Sequence, residues 1–222
     1  MCGRIVQKTK LAEVVSNLGL DALDLVDRAP RYNIAPGSFI LAVSSGLTVN
    51  YLKWGLIPSW AKDPKIGFKL SNARSETIQE KPSFRSAFKS RRCVIPVDGF
   101  YEWQLQDGKK KPYFIHRNDN KQLLIAGIWE NWTSPMGEQI KSCSLLTTSA
   151  TSPIDSIHDR MPVFISKTRL NEWLNIETKT EDLVAFFQNS EHSQELLLTS
   201  VNAQVNNTRF DHESCILPEL TT

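Results

Sequence analysis

Cysteine is scarce in this 222-residue chain: Cys2, Cys93, Cys143 and Cys215 are the four, and no two form a C-x-x-C pair. That spacing argues against a structural zinc site and against a dense disulfide framework, and it suits a compartment that keeps thiols reduced. Long apolar runs are also missing; none nears the ~18 residues that a membrane-spanning helix needs. The first residues, MCGRIVQKTK, lack an apolar stretch after the basic ones, so no secretory leader is expected and the cytoplasm is the default location. Net charge is nearly absent, with 26 Lys+Arg against 24 Asp+Glu. This balance excludes bulk packaging of nucleic acid but leaves room for a local basic groove. Repeats, low-complexity tracts and Pro/Ser-rich linkers are lacking too. With 41% hydrophobic and 23% charged residues, the composition is that of a globular protein, read as one domain over 1–222.

Strand-like runs dominate. Phe39–Val43 and Leu47–Leu52 flank Ser44-Ser45-Gly46 and predict a hairpin. Further strands are expected at Cys93–Val97, Pro112–His116, Leu123–Trp129, Ile140–Thr148, Pro162–Ile165 and Leu196–Val201, with turns at Asp98-Gly99, Asp107-Gly108, Asn118-Asp119 and Met136-Gly137. Helices are few: one capped by Thr9 and ended by Gly19, one over Ser166–Leu174, and one capped by Thr180 over Glu181–Gln188. Without βαβ alternation the class is α+β, a β-rich domain with a distorted barrel core and a few peripheral helices. Lys81, Arg85, Lys89 and Arg92 would form one basic helical stripe beside Phe84 and Phe88, either a solvated face or a phosphate-facing one.

Four places can carry chemistry. If Met1 is removed, Cys2 presents an α-amine and a thiol on adjacent carbons. The α-amine has a reference pKa of ~7.7–8.0, so part of it is a neutral nucleophile near pH 7. Two uses follow. The thiol attacks a carbonyl with the amine as base, or the amine condenses with an aldehyde and the thiol closes a thiazolidine ring. Position alone also allows a small residue with no role. His158, in Ile157-His158-Asp159-Arg160-Met161-Pro162, can move protons at neutral pH or serve structurally. Glu102 stands between Tyr101 and Trp103, either a desolvated acid or an outward residue between two inward aromatics. Asn72-Ala73-Arg74-Ser75-Glu76-Thr77 offers a carboxamide and a guanidinium fork, or a polar turn. Arg31–Gly37 and Trp54–Trp60 are Pro/Gly-punctuated and aromatic, fit for turns or for stacking a single strand.

Taken together, in this order and spacing, Met1-Cys2-Gly3-Arg4, Arg31–Gly37, Trp54–Trp60, Asn72–Thr77, Arg92–Trp103, Ala126–Glu130 and Ile157–Pro162 closely resemble the SOS-response-associated peptidase family. The likeness runs over 1–206, with 207–222 a tail of little family character. The resemblance implies a β-rich α+β fold with a pseudo-barrel core and a role in the DNA damage response. It implies covalent capture of abasic sites in single-stranded DNA through Cys2, with autopeptidase and abasic-site lyase activity as further expectations. The family's catalytic residues fall on Cys2, Asn72, Glu102 and His158. Phosphate-contacting arginines fall on Arg4, Arg74 and Arg160; Asn33 and Pro36 would lie near the Cys2 pocket, and Trp60 would wedge beside the lesion. Some members carry a second aromatic directly after that tryptophan, where this chain has Ala61. No metal, organic cofactor or membrane is implied. The partner is single-stranded DNA with abasic sites, the default oligomeric state is a monomer, and nucleoid association would accompany DNA binding. The rival readings are a cysteine peptidase acting on other proteins and a non-covalent reader of modified DNA.

Overall fold

The structure, a computed structural model, describes residues 2–20, 26–188 and 195–219. Its elements in chain order are β1 (Ile5–Gln7), α1 (Leu11–Leu18), β2 (Arg31–Ile34), β3 (Phe39–Ser44), β4 (Thr48–Trp54), β5 (Asn72–Arg74), α2 (Arg85–Ser90) and β6 (Arg92–Val97). There follow β7 (Gly99–Gln106), β8 (Lys109–Arg117), β9 (Leu123–Thr133), β10 (Gln139–Ser149), β11 (Arg160–Pro162), α3 (Leu170–Leu174), α4 (Thr180–Val184) and β12 (Leu196–Ser200).

Five strands close on themselves in the order β10-β4-β3-β6-β9, because β9 also pairs antiparallel with β10. Closure leaves these strands no free edge along the ring. β5 and β11 add to β10, β5 in parallel. A second sheet runs β12-β8-β7-β1-β2. The class is the expected β-rich α+β fold with a barrel core.

Alternation along the barrel strands explains their nearly unbroken apolar sequences. Ile40, Ala42, Cys93, Ile95, Ile125, Cys143 and Leu145 pack with Ile5, Phe100 and Ile115 of the second sheet. The neighbours Leu41, Val43, Val94, Leu124, Ala126 and Leu146 pack instead with residues of α1, α2, α3 and α4. Both faces are buried, so both must be apolar.

Most predicted elements are found, and the differences have local causes. Thr9 does not cap α1; its hydroxyl and backbone N–H both bond to the Asp98 carboxylate, and Lys10 holds the cap position. Gly19 ends α1 in the left-handed conformation, as its place predicts. Asp98-Gly99 is not a hairpin turn but the point where the chain passes from the barrel (β6) to the second sheet (β7). A Cβ on Gly99 would lie 2.6 Å from the Ile115 carbonyl oxygen, which explains the glycine there. The expected strand at Pro162–Ile165 is shorter, and beyond Pro162 only Phe164 bridges, to Ile125. The last helix starts at Thr180, one residue after its cap Lys179, and tightens into a 3₁₀ turn at Ala185–Gln188.

The basic stripe is corrected. α2 spans only Arg85–Ser90, and Arg92 opens β6 with 1% exposure. Its guanidinium donates to the carbonyls of Phe88, Lys89, Trp173 and Asn175. It thus caps the C-terminal ends of α2 and α3 from inside the protein. Among the described residues no helix is long and apolar enough to cross a membrane.

Candidate active site

Cys2 precedes β1, which lies between β2 and β7 in the second sheet. The amide N–H of Tyr101 donates to the Arg4 carbonyl at 3.0 Å, so the first residues run along β7. The Cys2 side chain is fully buried and packs in the cluster that joins barrel and second sheet. Burial, and next the nearby Glu102 carboxylate, push its thiol well above the ordinary cysteine range.

Glu102 sits two residues after Phe100 on β7 and shares its face. Its carboxyl is buried, whereas Tyr101 and Trp103 turn to the opposite face, packing with Val201, Val205 and Cys215. An outward Glu102 between inward aromatics is therefore not what forms. Burial raises the Glu102 pKa; the positive charges of the amino terminus and of His158 pull the other way. His158 follows the 3₁₀ turn Ile154–Ser156, and its backbone N–H donates to the Ile154 carbonyl at 3.0 Å. Its Nε2 lies 4.0 Å from Glu102 Oε2.

Asn72 enters from the barrel. β5 runs parallel to β10, with Asn72 opposite Leu145. Asn72 Nδ2 donates to the Cys2 carbonyl at 2.8 Å. Its Oδ1 is buried and accepts no hydrogen bond from the described residues. An orphaned acceptor of this kind costs about 1–3 kcal/mol, and a donor arriving at the site would satisfy it. Cys2, Asn72, Glu102 and His158 are thus brought to one place from four separate segments.

The other sequence candidates are placed as follows. Arg160 has its guanidinium forked against Glu76 at 2.6 and 2.9 Å and donates to the Thr147 carbonyl at 2.8 Å. This pairing holds the Glu76 carboxyl below the usual range. Arg74 is exposed on β5. Arg4 Nη1 donates to Asn33 Oδ1 at 2.5 Å and to the Val205 carbonyl at 2.7 Å, and the guanidinium lies 5.6 Å from the Trp103 ring centre. Asn33 is buried; its Nδ2 donates to the carbonyls of Val205, Asn207 and Phe210. Arg4 and Asn33 thereby bind the amino-terminal stretch to residues 205–210, reaching into the tail predicted to carry little signal.

Trp54 is buried in the barrel and donates Nε1 to the Ser71 carbonyl, whereas Trp60 is 59% exposed. Phe68, which the sequence reading passed over, is 65% exposed on the same excursion between β4 and β5. Its ring abuts Gly37, next to the partly buried Pro36. A lone Phe in a loop gives no sequence signal of exposure, since most such residues pack inward. Glu76, inside the segment Asn72–Thr77, carries no signal of its own in the sequence that it pairs with Arg160. Among the described residues no group of three His, Cys, Asp or Glu side chains could hold a metal ion.

The profile of the SOS response associated peptidase (SRAP) family matches residues 1–208. The chain belongs to the SRAP family. Similar proteins include the abasic site processing protein YoqW of Bacillus subtilis, 36% identical over 214 residues, covering 94% of this chain and 96% of the relative. The abasic site processing protein HMCES of Gallus gallus is 34% identical over 225 residues, covering 85% of this chain and 66% of the relative. In fold, a crystal structure of a protein from Bacteroides thetaiotaomicron superposes with a TM-score of 0.89 at 24% identity, covering 99% of this chain and 100% of that one. The barrel and the second sheet are thus shared with that structure.

Proposed function

We propose that this protein processes abasic sites in single-stranded DNA by capturing them covalently through Cys2 after loss of Met1. The observation that carries the reading is the meeting of Cys2 with a buried acid, an imidazole and a carboxamide. Its relatives' names, abasic site processing proteins, point to the same substrate.

An abasic sugar interconverts between a closed hemiacetal and an open aldehyde. His158 moves the proton in ring opening: the C1′ hydroxyl loses its proton, the C1′–O4′ bond breaks and O4′ is protonated. The Cys2 amine then attacks C1′. Glu102, whose buried carboxyl holds its proton more tightly than usual, protonates the departing hydroxyl, and water leaves as the imine forms. The thiol acts last. Its raised pKa makes it a poor first nucleophile, but the imine carbon accepts sulfur while the S–H proton passes to the imine nitrogen. The product is a thiazolidine and the only by-product is one water. Asn72 orients Cys2 through the carbonyl bond and offers Oδ1 to the amine or to a sugar hydroxyl.

Trp60 and Phe68 give exposed ring faces for bases flanking the lesion, and Arg74 an exposed cation for phosphate. Peptidase activity is confined in this reading to removal of Met1, which unmasks the amine. Lyase activity would follow at the imine, which permits β-elimination. The protein works as a monomer in the cytoplasm, joins the nucleoid when bound to DNA in the SOS response, and folds as one unit over the whole chain.

The test is the intact mass of the Met1-processed protein before and after incubation with a single-stranded oligonucleotide carrying one abasic site. The expected adduct equals protein plus DNA minus one water and survives denaturation; Cys2→Ala abolishes it. Binding that is salt-sensitive yet leaves no adduct would instead make the protein a non-covalent reader.

A further inference from the structure

We infer that Asp159 is a positioning residue that selects the proton-bearing nitrogen of His158. The inference rests on the proposed chemistry above for its consequence, but its geometry stands apart from it. His158 Nδ1 faces two groups with opposite demands. Asp159 Oδ1 lies 2.7 Å away and can only accept a hydrogen bond from Nδ1–H; the backbone N–H of Arg160 lies 2.9 Å away and can only donate to Nδ1. A single nitrogen cannot serve both, because a neutral imidazole carries one N–H and one lone pair.

The choice decides what the other nitrogen can do. If Nδ1 accepts from Arg160, the ring proton sits on Nε2 and that nitrogen has no lone pair for a substrate proton. If Nδ1 donates to Asp159, Nε2 carries the ring's lone pair. Nε2 is the nitrogen turned to Glu102 in the pocket, 4.0 Å from Oε2. The hydrogen bond to a carboxylate is charge-assisted and roughly twice as strong as one from a neutral amide. Asp159 therefore prevails, and Nε2 is left able to take the C1′ hydroxyl proton and return it to O4′ as the ring opens. This is the logic by which a carboxylate orients a catalytic imidazole elsewhere.

Among the described residues, Glu102 faces His158 from β7. Arg160, at the start of β11, directs its guanidinium to Glu76 instead. The Asp159 side chain is 84% exposed, so water weakens its hold and the expected effect is modest.

Two measurements on full-length protein test this. ¹⁵N chemical shifts of the His158 ring, recorded above its titration, report the tautomer directly. The expected result is a proton on Nδ1 in the wild type and on Nε2 in Asp159→Asn. A proton already on Nε2 in the wild type, or no change in the variant, overturns the inference whatever the protein does to DNA. Single-turnover adduct formation at saturating abasic DNA supplies the second readout. Asp159→Asn is expected to be slower by about tenfold, less than the ~10²-fold or more lost with a whole acid–base group. Asp159→Glu is expected to recover part of the rate. A slowed Asp159→Asn that Asp159→Glu does not rescue would make Asp159 merely structural. Absence of any adduct in the wild type would sink the proposed function but leave the tautomer result standing.

Discussion

Asn72 reaches from the barrel to the Cys2 carbonyl through one 2.8 Å hydrogen bond, joining β5 to the start of the chain. That bond adds to the Tyr101 N–H bond to the Arg4 carbonyl and the contacts of the Arg4 guanidinium in ordering the first residues. Asn72→Ala removes it together with the buried Oδ1. A net hydrogen bond is worth about 1 kcal/mol, so adduct formation should slow by roughly fivefold or more while the thermal midpoint changes little. Asn72→Asp keeps an acceptor but loses the donor, and is expected to be at least as slow. Single-turnover gels read both.

Glu102→Gln should stabilise the protein while disabling it. Burial raises the Glu102 pKa in the fold, so the folded state binds the proton more tightly than the unfolded chain. Its contribution is complete below the unfolded carboxylate value of ~4.3 and is lost as pH rises through the folded one. The neutral Gln avoids that loss. The variant's thermal midpoint is expected to exceed the wild type's at pH 7–8, with the gap closing towards pH 4. Equal midpoints across that range would contradict the assignment.

Removing the Arg92 side chain should damage the fold and spare the chemistry. Arg92→Met leaves four carbonyls at the ends of α2 and α3 without their donor. The Asn175 carbonyl keeps the Thr178 N–H, but the other three lose a buried charged donor, and the loss is expected to be at least about 3 kcal/mol in denaturant unfolding. The fraction that remains folded should still form adduct at the wild-type rate.

Gly67→Ala tests the loop that carries Trp60 and Phe68. A Cβ on Gly67 would sit 2.6 Å from the Gly55 carbonyl oxygen, and both are backbone-bound with little room to move. Leu56 N–H to Leu70 O, at 3.1 Å, closes the same excursion. The substitution should cost about 1–3 kcal/mol and weaken capture of abasic DNA by displacing the exposed rings. Affinity for a fluorescent abasic oligonucleotide measures the second effect.

Much of this was legible in the sequence because the relevant forces are local. The hairpin over β3 and β4 follows from two β-rich runs around Gly46, and α1 from apolar spacing ended by Gly19. The barrel strands show continuous apolar runs because each face meets a different core. Other features depend on contacts distant in the chain. Arg92 continues a helical spacing by sequence but pairs in β6 with Ile128, and its guanidinium reaches carbonyls some 80 residues away. Thr9 loses its capping role to Asp98, 89 positions on. Alternation alone could not orient Glu102; Phe100 packing against the Cys2 cluster does. The pull of residues 205–210 on Arg4 and Asn33 was invisible for the same reason.

The sealed sulfur of Cys2 has one more consequence. A thiol kept protonated and away from bulk water is a slow target for peroxides, which consume thiolates first. Oxidative stress also strips bases from DNA. On the proposed chemistry, the same burial that holds the sulfur back until an imine forms would preserve the thiol through the conditions that create abasic sites.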